Sequence, residues 1–349
     1  MQRTLKKTIA ELPTFVMDYL GMALALALLI TIFSFSARNF FTLTNFKTIA
    51  SQIPDITIVA VGMTFVLIIA GIDLSVGSVM ALSGAVFAVC LVRYNFSLPA
   101  AMATCFAVGI LCGAVNGLIV IRWNLPSFIV TLGMLEIARG ATYHVTNSQT
   151  IYIGGLAEVI SDASILWLPL PFVVAVLIVV GGQVVLSRSV FGRYLIAIGT
   201  NEEAVRLSGI DPHPLKLAVF VLCGFLTSVA AVIQTARFSS LDPNTGDGLE
   251  LQAIAAVVIG GTSLMGGRGS VVSSFFGVLI IAVLGTGLAQ IGAGEPTKRI
   301  ITGCVIVAAV ILDHYRHLPP RFRRQASSER SPKDCGPRGR AAGRTCKPR

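Results

Sequence analysis

The chain is poor in charge. Of its 349 residues, 13% are charged and 54% hydrophobic, whereas soluble domains carry about 25% charged residues. Several apolar runs reach the roughly 20 residues needed to cross a bilayer core. A soluble globular domain is excluded on those grounds. No Gly-x-x-x-x-Gly-Lys-Ser/Thr phosphate-binding loop occurs, so the chain is not expected to hydrolyse a nucleotide itself or to hold a cofactor. No His-Glu-x-x-His or other metal spacing occurs either, since His144, His213, His314 and His317 are scattered. The apolar runs hold no evenly spaced arginines and almost no titratable groups, which speaks against a voltage sensor and a proton relay. The seven cysteines show no zinc or redox spacing. Cys90, Cys105, Cys112, Cys223 and Cys304 read as small apolar residues of the spans, Cys335 and Cys346 as incidental tail thiols.

The net charge is +10, but residues 313–349 alone hold 11 Lys or Arg against three acids. The basic balance therefore belongs to the tail, and no nucleic-acid partner is expected. That tail lacks apolar periodicity and is rich in Arg, Gly, Ser and Pro, the composition of a disordered, solvated segment. It either touches anionic headgroups or is an incidental extension.

The expected fold class is all-α, a polytopic integral membrane protein. Ten candidate spans run Phe15–Phe35, Ile53–Ala70, Gly77–Val92, Leu98–Ile121, Ser127–Val145, Leu168–Leu186, Leu215–Ala236, Leu251–Leu264, Ser270–Gln290 and Ile300–Leu312. The eighth and tenth are short enough to be tilted or re-entrant. The organisation read from this is a cytoplasmic N-terminal segment at 1–14, a membrane body at 15–312 and the tail at 313–349. Alternating ten spans from a cytoplasmic N-terminus puts 20 Lys or Arg inside, nine of them outside the tail, against six in the outer loops. This agrees with the positive-inside rule and makes both termini cytoplasmic. Trp123 and Trp167 fall at span ends, as interfacial anchors do.

The stretch 61–83, VGMTFVLIIAGIDLSVGSVMALS, joins two apolar runs through one carboxylate, Asp73, flanked by Gly71 and Gly77. A lone carboxylate there is costly unless it lies at an interface, a cavity or a partner surface. The glycines permit a sharp turn or close backbone approach. Asp73 either caps the following helix near the cytoplasmic face or lines a solute path. A weaker echo of this pattern follows Ala256, where VVIGGTSLMGGRGSVVSSFFG again joins two apolar runs. Gly109, Gly113 and Gly117 repeat every four residues, the spacing for close helix packing, with Asn116 beside that face.

In the loop 187–216, Thr200 and Glu203 fit a capping box, Glu202 and Glu203 occupy a first helical turn, and Gly209 with Asp211-Pro212 stops the element. A helix of about two turns is marginal alone in water. It needs a surface, either a partner subunit or its own membrane body.

Four segments carry a resemblance: GIDLSVGS (71–78), LPSFIVTLGML (125–135), GRYLIAIGTNEEAVRLSGI (192–210) and RFSSLDPNTGDGLELQAIAAVVIGGTSLMGGRGSV (237–271). Over about Thr44 to Leu312 the chain resembles the integral-membrane permeases of ribose-type ATP-binding-cassette sugar importers. The resemblance implies a non-catalytic subunit in the cytoplasmic (inner) membrane. Two copies would form the path, and separate ATP-binding subunits would dock on the 200–210 helix. A soluble sugar-binding protein would deliver a monosaccharide from outside. Glu202, Glu203, Arg206 and Gly209 are the expected coupling residues, and Asn116, Ser75 and Thr131 the expected path residues. One departure is Glu136, mid-span, where relatives carry an apolar or small residue. Arg139 is one turn on, so either the two pair, or Glu136 contacts substrate or a second protomer. An unpaired charge would cost about 2.5 to 3.5 kcal/mol there. Other readings are a self-sufficient secondary transporter, which would need ion sites in the spans, and a non-transporting membrane receptor.

Overall fold

The computed structural model describes residues 20–37, 40–165 and 168–317. The chain divides into two units, Met1–Ala309 and Val310–Arg349. The N-terminal segment, Trp167 and nearly all of the basic tail lie outside the described residues.

The first unit is a bundle of helices. In chain order they are α1 (Leu20–Ser36), α2 (Leu43–Gln52), α3 (Pro54–Ile68), α4 (Val76–Val92), α5 (Leu98–Trp123), α6 (Ser127–Thr146), α7 (Glu158–Ser161) and α8 (Leu170–Arg188). Then follow α9 (Val190–Thr200), α10 (Glu202–Leu207), α11 (His213–Phe238), α12 (Leu249–Ile259) and α13 (Val271–Gln290), and α14 (Glu295–His317) begins in this unit and continues past Ala309. Two short antiparallel pairings complete it: Ile151–Tyr152 with Ser240–Leu241, and Ser164–Ile165 with Leu168–Pro169.

Each of the ten apolar runs is met by a helix. Among the described residues, helices α5, α8, α11 and α13 are long and apolar enough to cross a membrane, and α2 with α3 meet the same measure only taken together, with a bend of 48° between them. The bend sits at Pro54, which opens α3 at a position where its missing N–H costs nothing. The second span therefore begins at Leu43, ten residues before the expected Ile53. The eighth stops early, at Ile259 rather than Leu264. There Gly261 takes φ +84°, its N–H bonds Val258 O, and Thr262 N–H bonds Val257 O. That is a Schellman cap, and it ends α12.

Helix α3 is apolar on every side, and all of it but Ile56 is buried. Such a helix belongs at the centre. Helix α4 lies beside it, buried over most of its length. Helix α11 runs against α3, α4 and α5, while α12 and α13 pack on α3. Helices α5 and α8 lie outside, with Leu111, Leu118, Leu177 and Val184 exposed.

Helices α5 and α11 meet backbone to backbone. A Cβ at Gly224 would lie 2.1 Å from Gly109 O, and one at Gly113 would lie 2.3 Å from Phe220 O. The four-residue glycine repeat is thus a packing face. Gly224→Val is expected to destabilise by about 1 to 3 kcal/mol through overpacking. Gly285 has no neighbour within 4 Å of such a Cβ, so Gly285→Ala should be neutral or slightly stabilising. Thermal unfolding of both variants in the same detergent measures the contrast. Equal midpoints would contradict the backbone contact.

Candidate functional site

Helix α3 ends in a second Schellman cap: Ala70 N–H bonds Leu67 O and Gly71 N–H bonds Val66 O, both at 2.9 Å. Ala70, not a glycine, takes the left-handed conformation, with φ +58°. Beyond it the chain runs unwound to Ser75 before α4 begins. Helix α6 supplies partners for this link. Ile72 N–H donates to Ser127 Oγ at 2.9 Å, and Leu74 N–H donates to Thr131 Oγ1 at 3.1 Å. Thr131 Oγ1 lies 3.2 Å from Ile72 O, to which it donates. Asp73 is 2% exposed. Its Oδ1 accepts from Ser75 N–H at 2.9 Å and from Ser75 Oγ at 2.6 Å. Asn116 of α5 donates from Nδ2 to Ser75 Oγ at 3.0 Å, while its Oδ1 is buried without a partner. Asp73, Ser75, Asn116 and Thr227 line a crevice too narrow to admit a water molecule.

The other end of α6 holds a second irregular stretch, residues 242–248 ahead of α12. Arg139 donates from its guanidinium to Pro243 O at 2.8 Å and Thr245 O at 2.9 Å. Tyr143 Oη bonds Asn244 Oδ1 at 2.7 Å. The turn then presses on the start of α4, where a Cβ at Gly77 would lie 2.2 Å from Gly246 O. Asp242 is held below the usual carboxylate range, first by the Asn244 N–H and then by hydrogen bonds from the Thr150 hydroxyl and the Asn244 amide.

A third junction joins the two links that echo each other in sequence. Gly267 N–H donates to Ile68 O at 2.9 Å, and Gly199 of α9 packs where a Cβ would overlap both groups. Gln183 of α8 caps α13: its Oε1 accepts from Val271 N–H at 2.9 Å, Val272 N–H at 3.2 Å and Ser270 Oγ at 3.1 Å. Elsewhere Arg237 pairs with buried Asp55 at 2.9 Å and donates to Ser51 O, fastening α11 to the bent α2–α3 span.

At this third junction α9 leads into α10. Asn201 Oδ1 caps α10 by accepting from Ala204 N–H at 3.0 Å. Gly209, with φ +82°, and Ile210 close the helix in a Schellman cap on Arg206 O and Val205 O. Val205 is buried, and Glu202 pairs with Lys216 of α11 at 2.5 Å. Those contacts fix one face of α10 to its own body. Glu203 and Arg206 pair with each other at 2.8 Å on the free side, and Leu207 beside them is 80% exposed. Nearby, Asp211 is held below the usual carboxylate range, first by the His213 N–H and then by its ring.

Two expectations are corrected. The capping residue of α10 is Asn201, because α9 continues through Thr200, whose hydroxyl bonds Ile196 O instead. Glu203 pairs with Arg206 rather than reaching back. Glu136 and Arg139 do not pair either: Arg139 turns inward to the 243–245 carbonyls and Glu136 is left exposed. Of the residues expected in the path, Ser75, Asn116 and Thr131 converge on the link at Asp73, all buried. Gly71 lies in that link and Gly77 at the close contact with Gly246. Sequence reasoning missed Ser127, Tyr143, Gln183, Asn244 and the Asp55–Arg237 pair. Lone polar residues next to or within apolar runs were the available signal. Cys90, Cys105, Cys112 and Cys223 are buried as expected, whereas Cys304 is exposed.

Thr131→Val keeps the shape and removes the hydroxyl, stranding Leu74 N–H and Ile72 O. A loss of about 1 to 3 kcal/mol is expected for such orphaned buried groups. Denaturation in micelles reads it, and parental stability would show that the link is held by other means.

A family model described as "Branched-chain amino acid transport system / permease component" matches residues 45–310. The ribose import permease protein of Escherichia coli K12 is 41% identical over 296 residues, 83% of this chain and 92% of the relative. The fructose import permease protein of Rhizobium meliloti is 35% identical over 290 residues, 79% of each chain. The xylose transport system permease protein of Escherichia coli K12 is 35% identical over 318 residues, 73% of this chain and 81% of the relative. No solved structure gives a significant match. The bundle of apolar helices and these matches together make the chain a multi-pass membrane protein that belongs to this family of transport-system permease components.

Proposed function

We propose that this chain is the membrane permease subunit of an ATP-binding-cassette importer, and that it carries a ribose-like monosaccharide inward across the cytoplasmic membrane. The observation that carries the reading is the 41% identity to a ribose import permease protein across 92% of that relative. The chain has no phosphate-binding loop of its own, so ATP is bound and hydrolysed on a separate subunit. A soluble sugar-binding protein presents the solute outside, and two copies of the permease form the path. Both termini face the cytoplasm.

The outer side of α10 is the surface proposed for the ATP-binding subunit. Asn201, Gly209 and the Glu202–Lys216 pair hold the helix rigidly to α11 and α9. A push on α10 is thereby carried to α9, and through Gly199 to the links at Ile68 and Gly267. The buried residues Ser75, Asn116 and Thr131 serve the path by setting the shape of the 72–75 link.

Charge reversal at Glu203 and Arg206 together preserves their mutual pair but inverts the surface pattern. Purification from native membrane in mild detergent should recover an ATP-binding subunit with the parent chain and lose it with the double reversal. A parent chain that purifies alone, with uptake that survives ATP depletion and collapses with the ion gradient, would overturn the importer reading.

A further inference from the structure

Glu136 is the tenth of the twenty residues of α6. A three-residue turn brings α6 back along α5, which is long and apolar enough to span a membrane. Glu136 therefore sits halfway between the ends of α6. It is exposed, and it has no partner among the described residues. Around it Ile129, Leu132 and Ile137 are exposed as well. Gly133 and Gly140 leave open space on either side of it. A carboxylate among lipid tails is costly, and ionisable side chains at that depth almost always face protein or a water-filled cavity. The cation that adjacency in sequence offers, Arg139, is committed to Pro243 O and Thr245 O instead.

We propose that the free face of α6 borders the aqueous solute path and that the Glu136 carboxylate accepts hydrogen bonds from the hydroxyl groups of the solute. The inference rests on the importer reading and adds a specificity residue to it. An ionised carboxylate offers acceptors only, which complements a neutral polyhydroxyl solute and repels anionic sugars such as sugar phosphates. The 72–74 link bonds the far side of the same helix through Ser127 and Thr131, while the 243–245 turn meets it through Arg139 and Tyr143 on the side nearer Glu136. A solute at Glu136 is then one helix width from the 72–74 link.

The test uses membrane vesicles holding the whole assembly. Glu136→Cys is treated with a charged, lipid-insoluble methanethiosulfonate, with the parent chain as the blank for native cysteines, and peptide mass spectrometry locates the adduct. Modification at position 136 that saturating ribose slows at least fivefold is expected. In Glu136→Gln, the KM for ribose should rise about tenfold, equivalent to about 1.4 kcal/mol, with Vmax within twofold, and sugar phosphates should become better competitors. Labelling only by a lipid-soluble maleimide would place the face against lipid and overturn the proposal. So would modification indifferent to ribose together with an unchanged KM. Failure of the parent assembly to take up ribose would instead count against the importer reading, since the charged reagent reports water at position 136 regardless of uptake.

Discussion

A polypeptide inside a bilayer must satisfy its own backbone polar groups, because hydrocarbon offers no hydrogen bonds. The link 69–75 meets that demand inside the bundle without being helical. Its first N–H groups fold back on α3, its middle ones reach Ser127 and Thr131, and its last is taken by Asp73. Every neighbour of the link is set by this requirement. Helix α6 must lie close enough to offer two hydroxyls one turn apart. Asn116 must approach Ser75 from α5, which the glycine contact between α5 and α11 permits.

The same economy governs the rest of the bundle. Arg139 answers two carbonyls of the 243–245 turn, and Gln183 answers two N–H groups and a hydroxyl at the start of α13. Several polar side chains thus serve irregular backbone, while many Ser and Thr hydroxyls bond carbonyls of their own helix. Asp55–Arg237 is an ion pair with a buried acid, the acid in the first turn of α3 and the base in the last turn of α11, where each helix dipole favours it.

These contacts also give the molecule a mechanical layout. Helix α10 is fixed to α9 and α11, α9 touches the links after α3 and α12, and α6 ties the first of those links to the turn before α12. Irregular segments have two or more ways to be satisfied, so they are the natural places for a transport cycle to change shape. Helix α6 holds one such segment near each end.

The sequence alone determined the class of molecule and most of its helices. Apolar runs of near-membrane length admit few other folds, and glycine and proline set local backbone geometry at Gly209, Gly261 and Pro54. The long motifs also determined the family. Short-range capping was only partly legible: Gly209 was readable, but the shift of the cap from Thr200 to Asn201 depended on how far α9 extends. Partner choice was not legible at all. Spacing brings Glu136 and Arg139 onto neighbouring positions of α6, yet Arg139 finds two carbonyls more than a hundred residues away. Ser127, Thr131 and Gln183 likewise serve backbone groups of distant segments. A polar side chain in an apolar helix announces that it needs a partner, and only the packing of the helices in three dimensions decides which group that is.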